Sequence, residues 1–335
     1  MSAPVRVVLV GAGAIAKTHA EALAASTRAE LVAVVDPALE RAAAIATAAG
    51  VPAYGDLGAL PAALAADAAI VCSPPATHEE LTLALLARGL HVLCEKPFAL
   101  TAASARRMLE AADRAGRIVT MASKFRYVED VVRARALVAT GAIGEVVMFE
   151  NTFASYVDMR GRWNVRPEIS GGGVLIDNGT HSVDIVRFVL GAIDDVRAFA
   201  ARPVQPIPVE DTVHLEIRTH AGAVGFVDLS WSLRKEIPAF FTLYGSEGTL
   251  EVGWRGSRRR SGGGPWEQFG PGYDKLGAFR NQHDNFAAAI RGEEALAIGP
   301  LDALASVHVI EAAYAAMRAD RWVPVASSPA AVAVA

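Results

Sequence analysis

Residues 5–36 read VRVVLVGAGAIAKTHAEALAASTRAELVAVVD, and this stretch decides the fold. A run of branched apolar residues ends in Gly11, Gly13 and Ala16, the spacing G-x-G-x-x-A, and an Ala-rich amphipathic helix follows. Gly11 permits the tight turn, Gly13 lets the backbone approach a pyrophosphate, and Ala16 allows close helix packing. Ala14 and Ile15 open the helix, whose amide groups and positive dipole end suit an anion. The second apolar run ends at Asp36, 20 residues past Ala16, where a carboxylate can accept hydrogen bonds from both hydroxyls of an adenosine ribose. That carboxylate repels a 2′-phosphate, and Pro37 follows it in place of a residue that would welcome one, so NAD is expected over NADP. The bland alternative, Asp36 as a simple cap for the next helix, fits the strand, turn, helix and strand context less well.

The same alternation continues outward. Short apolar runs (AAIVCS, HVLCEK, RIVTMAS) alternate with amphipathic stretches up to about residue 120, which predicts a doubly wound parallel sheet of βαβ units, a Rossmann domain over residues 1–123. After Phe125 the pattern changes to longer runs with strand alternation (EVVMFENTFAS, DTVHLEIRTH, AVGFVDLSWS, AFFTLYGS). These predict an α+β domain over residues 124–325 with a large, mostly antiparallel open sheet. Helices are expected at 128–139, about 178–190, 282–291 and 301–319, a solvated Gly/Ser-rich basic loop at 254–266, and a flexible tail at 326–335.

With 335 residues, 52% hydrophobic and 20% charged, the chain has apolar surface for two large cores. A formal net charge of −4 gives no general attraction to nucleic acid or anionic membranes, so neither is expected as a partner. The two cysteines, Cys72 and Cys94, end apolar runs and read as reduced buried thiols of a cytoplasmic protein. No metal site is expected. No uncharged stretch is long enough to span a membrane, and the opening apolar run lacks a cleavage signal.

Three later segments join GAGAIAKTHAEAL at 11–23: VCSPPATH at 71–78, CEKP at 94–97, and GGGVLIDNGTH at 171–181 followed by Asp184. This ordered set resembles the glucose-fructose oxidoreductase, inositol dehydrogenase and rhizopine-catabolism family, written Gfo/Idh/MocA. The resemblance implies that Ser73, Pro74 and His78 lie along the cofactor, and that Glu95 and Lys96 reach its nicotinamide end. It also implies a cis peptide bond between Lys96 and Pro97.

Asp177 and His181 stand four residues apart at a helix start, hence on one face, and the glycines at 171–173 are expected to let that element approach the other domain. An isolated pair of this kind reads as well as a cap and a satisfied histidine; its company with Lys96 and the fingerprint favours a site. The resemblance implies His181 as proton acceptor tuned by Asp177, with Lys96 binding the same oxygen, although a proton relay through Lys96 is equally open. Arg126 resembles the family's arginine after the sixth strand, although Tyr127 replaces the usual phenylalanine. Trp163 could stack on a sugar face, and Arg160, Arg162 and Arg166 could bind a carboxylate or phosphate or form a solvated loop. His214, His220, His283 and His308 are expected to be structural or exposed.

The resemblance therefore implies an NAD-dependent oxidoreductase moving hydride between nicotinamide and a secondary hydroxyl or ketone of a sugar, cyclic polyol or sugar derivative. Two alternatives stand beside it: an NAD-dependent glycosidase using transient redox chemistry, and a non-catalytic dinucleotide and sugar sensor. A homodimer or homotetramer is expected, because relatives commonly pair through the open sheet face.

Overall fold

The computed structural model describes residues 3–326. The tail expected at 326–335 lies, beyond its first residue, outside the described residues. In chain order the elements are β1 (Val5–Val10), α1 (Ala14–Ala24), β2 (Ala29–Val35), α2 (Leu39–Ala49), β3 (Ala53–Tyr54), β4 (Ala68–Val71), α3 (His78–Ala87), β5 (His91–Glu95), α4 (Ala102–Ala115), β6 (Val119–Ala122) and α5 (Glu129–Ala139). They continue with β7 (Val146–Ala154), α6 (Pro167–Ser170), α7 (Val174–Leu190), β8 (Ile193–Ala200), β9 (Thr212–Thr219), β10 (Val224–Ser230), β11 (Ala239–Gly245), β12 (Gly248–Gly253), β13 (Ser257–Ser261), β14 (Glu267–Gly270), α8 (Lys275–Ile290), α9 (Pro300–Ala319) and β15 (Val323–Pro324).

Two compact units result. The first contains the chain through Tyr127 together with Lys275–Ala303, and the second contains Val128–Asp274 and the chain from Leu304. In the first, six parallel strands run in the order β3-β2-β1-β4-β5-β6. The order reverses between β1 and β4, and ligands of such sheets bind beyond the strand ends at that reversal. The strands are apolar on both faces because helices cover both, which is why they read as continuous hydrophobic runs.

The second sheet has nine strands, β14-β13-β12-β11-β7-β10-β9-β8-β15, all antiparallel neighbours except β7 and β10. Strict alternation buries Phe149, Val213, Leu215, Ile217, Val227 and Leu229 on one face. The other face presents Met148, Val224, Phe226 and Tyr244 among charged residues, with Phe226 stacked on His214 at 5.7 Å.

The structure differs from the sequence reading at several places. The arginine-rich stretch at 254–266 is largely a hairpin arm: Arg258 pairs with Glu251, Arg259 with Glu267, and Arg258 and Arg260 lie over the Trp266 ring at 4.2 and 4.8 Å. Charged side chains pair across strands here, so a polar composition conceals a strand. Helix α7 begins at Val174, four residues earlier than expected. Residues 275–303 return to the first unit, where Phe286 and Ala287 of α8 join the core with Leu9, Val34 and Leu93. The apolar stripe of α8 indicates burial without naming the surface it buries against.

Arg126 locks this returning segment. Its guanidinium is 4% exposed and donates to Ala297 O and Asp302 Oδ1, each at 3.1 Å. Arg126, a substrate-contact candidate by its resemblance to the family's arginine, also braces the first unit from inside. Arg126→Ala is expected to lower unfolding stability by about 2 kcal/mol, because a buried guanidinium and its hydrogen bonds to two half-buried acceptors are lost; denaturant midpoints measure it. Native stability combined with weakened substrate affinity would return Arg126 to the substrate.

Among the described residues, no helix is long and apolar enough to cross a membrane.

Candidate active site

The cofactor half is built from strand ends. Gly11 has φ +94°, and a Cβ there would stand 2.7 Å from Cys72 C and Ser73 N, so only glycine lets the turn lie against the end of β4. Gly13 caps α1, and its missing Cβ would face open space. Helix α1 has no side-chain cap and no acid in its first turn. Unblocked amides beneath an open glycine suit a pyrophosphate. Asp36 closes the turn: its Oδ2 accepts the Ala12 amide at 2.6 Å and its Oδ1 the Ala38 amide at 2.8 Å. Ala38 is the residue that precedes α2, so Asp36 does more than cap that helix.

Beyond β4, the Ser73 hydroxyl accepts from Thr77 Oγ1 at 2.7 Å, and Pro74 precedes a single 3₁₀ turn that runs into α3. His78 is buried, with ring nitrogens 3.0 Å from Ser73 O and 2.9 Å from Pro97 O. Burial holds its basicity below the ordinary value. The ring ties the end of β4 to the end of β5, where Glu95 leads into Lys96 and a cis Lys96–Pro97 bond, as the resemblance implied. Glu95 turns inward: Oε1 meets His19 Nε2 at 2.9 Å and Oε2 accepts the Lys96 amide at 3.0 Å. Burial alone would push this carboxyl up, but the His19 hydrogen bond and the Lys96 and Lys124 charges outweigh it and hold the group low. Burial pushes the thiols of Cys72 and Cys94 up, and both are free.

The second unit carries its own candidates on α7. Asp177 sits in the first turn, half-buried, and His181 follows one turn later, buried with its ring edge-on to Phe153 at 6.4 Å. Asp184 is fully buried on the same helix. The glycines before the helix make a close approach within their own unit, to a partner the sequence reading did not include. A Cβ on Gly173 would stand 2.1 Å from Glu210 O, and one on Gly172 would overlap the Tyr314 hydroxyl. Glu210 caps α7 from outside: its Oε1 accepts from Gly173 N (2.9 Å), Leu175 N (3.3 Å) and Tyr314 Oη (2.7 Å), and its carbonyl accepts from Val174 N (2.9 Å). A carboxylate at a helix N-terminus is favoured by the dipole, and this one fixes the turn that carries Asp177. Burial and the adjacent carboxylate push the Tyr314 hydroxyl up, which keeps it a donor. The glycine run signalled the approach, but no local pattern identifies Glu210 or Tyr314.

Trp163 is 39% exposed at a short 3₁₀ turn, flanked by exposed Arg160, Arg162 and Arg166. Arg160 is engaged with Asp158 at 2.7 Å. Among the described residues, no group of three His, Cys, Asp or Glu side chains is placed to hold a metal ion.

A doubly wound sheet with an open glycine turn at its first helix, followed by a domain with a large open sheet, defines a class of nicotinamide-dependent oxidoreductases. The chain belongs to the Gfo/Idh/MocA family: residues 5–123 match the "Oxidoreductase family, NAD-binding Rossmann fold" and residues 131–251 the "GFO/IDH/MocA C-terminal domain". It is 33% identical over 252 residues to D-glucoside 3-dehydrogenase of Escherichia coli, covering 69% of this chain and 72% of that one. It is 27% identical over 319 residues to the rhizopine catabolism protein MocA of Rhizobium meliloti, covering 92% and 93%. The crystal structure of GenD2 from gentamicin A biosynthesis, in complex with NAD, aligns with TM-score 0.84 at 28% identity over 98% of each chain. The chain is an NAD-dependent oxidoreductase of this family.

Truncating Glu210 to Ala leaves two amides and a half-buried hydroxyl without their acceptor. Unfolding stability is expected to fall by about 2–3 kcal/mol, against about 1 kcal/mol for Tyr314→Phe, which loses one bond. Chemical denaturation measures both.

Proposed function

We propose that the protein interconverts a secondary hydroxyl and a ketone on a sugar, cyclic polyol or sugar derivative. The observation that carries this reading is the pair Asp177 and His181 on the capped first turns of α7, in a chain whose first unit holds the NAD turn and Lys96. Relatives named as dehydrogenases of glucosides, inositol and levoglucosan support the substrate class. Bound NAD supplies the hydride acceptor at its nicotinamide ring. His181 takes the hydroxyl proton, Asp177 orients it, and the Lys96 ammonium stabilises the developing alkoxide charge; in reduction the same groups return the proton to the ketone oxygen. Gly11, Gly13, Ala14 and Ile15 hold the pyrophosphate, Asp36 the ribose, and Ser73, Pro74, His78 and Glu95 form or support the wall towards nicotinamide. Trp163 stacks on the sugar.

Two free, buried thiols fit a cytoplasmic setting. The apolar and aromatic row Val224, Phe226, Met148 and Tyr244 on the open sheet face supports a homo-oligomer joined there, with Val224 and Phe226 themselves 42% and 38% exposed. Light scattering is expected to give a multiple of 35.1 kDa, and Phe226→Asp with Val224→Asp to reduce it to the monomer mass.

The chemistry is tested by following NADH absorbance with a panel of inositols, aldoses, uronic acids and nucleotide sugars. One substrate class is expected to reduce NAD, with Lys96→Ala and His181→Ala each at least 100-fold slower, on the order of one lost acid–base group. Glycoside cleavage under catalytic NAD would instead establish a glycosidase, and tight NADH binding without turnover a sensor.

A further inference from the structure

The first unit buries a row of polar groups of which the hydride-transfer reading uses only Glu95. His19 on α1 is fully buried, and so, within 1%, is His283 on α8. His19 Nδ1 stands 2.8 Å from His283 Nε2, and His19 Nε2 stands 2.9 Å from Glu95 Oε1. Phe279 packs edge-on against His19 at 4.8 Å and walls the row off. An ionised carboxylate only accepts, so His19 donates from Nε2 to Glu95. Burial keeps His283 well below the ordinary histidine value, so it enters the row as a neutral ring. With one proton on His19, its Nδ1 accepts from His283 Nε2, and the row is a directed chain ending on Glu95.

A buried anion is costly unless hydrogen-bonded and paired. Here two residues from distant parts of the sequence are placed to keep one, directly beside Lys96. The other Glu95 oxygen already holds the Lys96 amide. We propose that His283, His19 and Glu95 form a positioning chain that maintains a buried countercharge for the Lys96 ammonium and so keeps this lysine a cationic hydrogen-bond donor. This rests on Lys96 being the site lysine and adds what holds it ready. Glu95 is then a support for Lys96 from beneath, and His19 and His283 act only through Glu95.

The test uses the full chain without NAD or substrate, so failure of the oxidoreductase reading leaves it intact. Lys96 is acylated at neutral pH by trace acetic anhydride, and peptide mass spectrometry reads its rate against exposed Lys17. Glu95→Gln keeps the shape and removes the charge; His19→Leu removes the donor; His19→Gln restores a donor. Lys96 is expected to react about fivefold faster or more in Glu95→Gln and in His19→Leu, no faster in the double variant than in either single one, and at the native rate in His19→Gln. Native rates in folded Glu95→Gln and His19→Leu would overturn the proposal, because a purely structural role leaves Lys96 unaltered. Should those variants not fold, nitrogen NMR of histidine-labelled native protein decides. A fixed Nε2-protonated His283 that does not titrate between pH 6 and 8 supports the chain, and a ring that titrates there or exchanges tautomers overturns it.

Discussion

Everything in the nucleotide-binding half depends on how closely one turn can lie on a neighbouring strand. Gly11 rests its Cα against the backbone at Cys72 and Ser73, a position any side chain would fill. That contact sets the height of the β1–α1 turn above the sheet, and with it the direction of α1 and its unblocked amides. Asp36 then clamps the turn from the β2 side through the Ala12 amide, so one carboxylate shapes the turn and also holds the amide that precedes α2. A phosphate site assembled this way needs no cationic side chain; its positive potential comes from peptide dipoles held in place by packing.

The second unit solves a similar problem by the same means. Glu210 holds the first turn of α7, and Asp211, the next residue, accepts Val204 N, Gln205 N and the Ser232 hydroxyl at 2.9, 2.8 and 2.6 Å. Burial raises the cost of ionising Asp211, but the Ser232 hydroxyl and the two amides outweigh it and hold the carboxyl low. Two adjacent acids thus fix a helix start and a loop. Carboxylates spent on backbone amides are a recurring device in this chain.

The sheet of the first unit was legible because its signals are local: a glycine spacing, a carboxylate at a strand end, alternating apolar runs. Lys96, Asp177 and His181 were legible as residue types in short motifs and through family resemblance. Their supports were not. Glu210 and Tyr314 meet Gly173 and Gly172 across 37 or more residues, and His283 meets His19 across 264. Such contacts arise from packing and leave no periodicity. Arg126 is a related case, because its partners Ala297 and Asp302 lie about 170 residues away and no local pattern shows them. The strand at 257–261 was hidden because cross-strand ion pairs and a stacked tryptophan replace the apolar alternation on which strand recognition relies.

The return of residues 275–303 to the first unit has a consequence for how the protein is made. As the chain leaves the ribosome, all six parallel strands emerge within the first 122 residues, yet the surface beside α1 stays uncovered until α8 follows more than 150 residues later. The second unit's nine-stranded sheet, apart from its last short strand, is translated in that interval. Its slow, non-local pairing proceeds while a neighbouring core still lacks Phe286 and Ala287. A fragment ending at residue 127 would carry every nucleotide-binding motif and still expose the apolar patch that α8 buries. Newly made chains of this protein are accordingly most prone to aggregate late in synthesis, after the binding motifs have formed and before the helix that seals them has arrived.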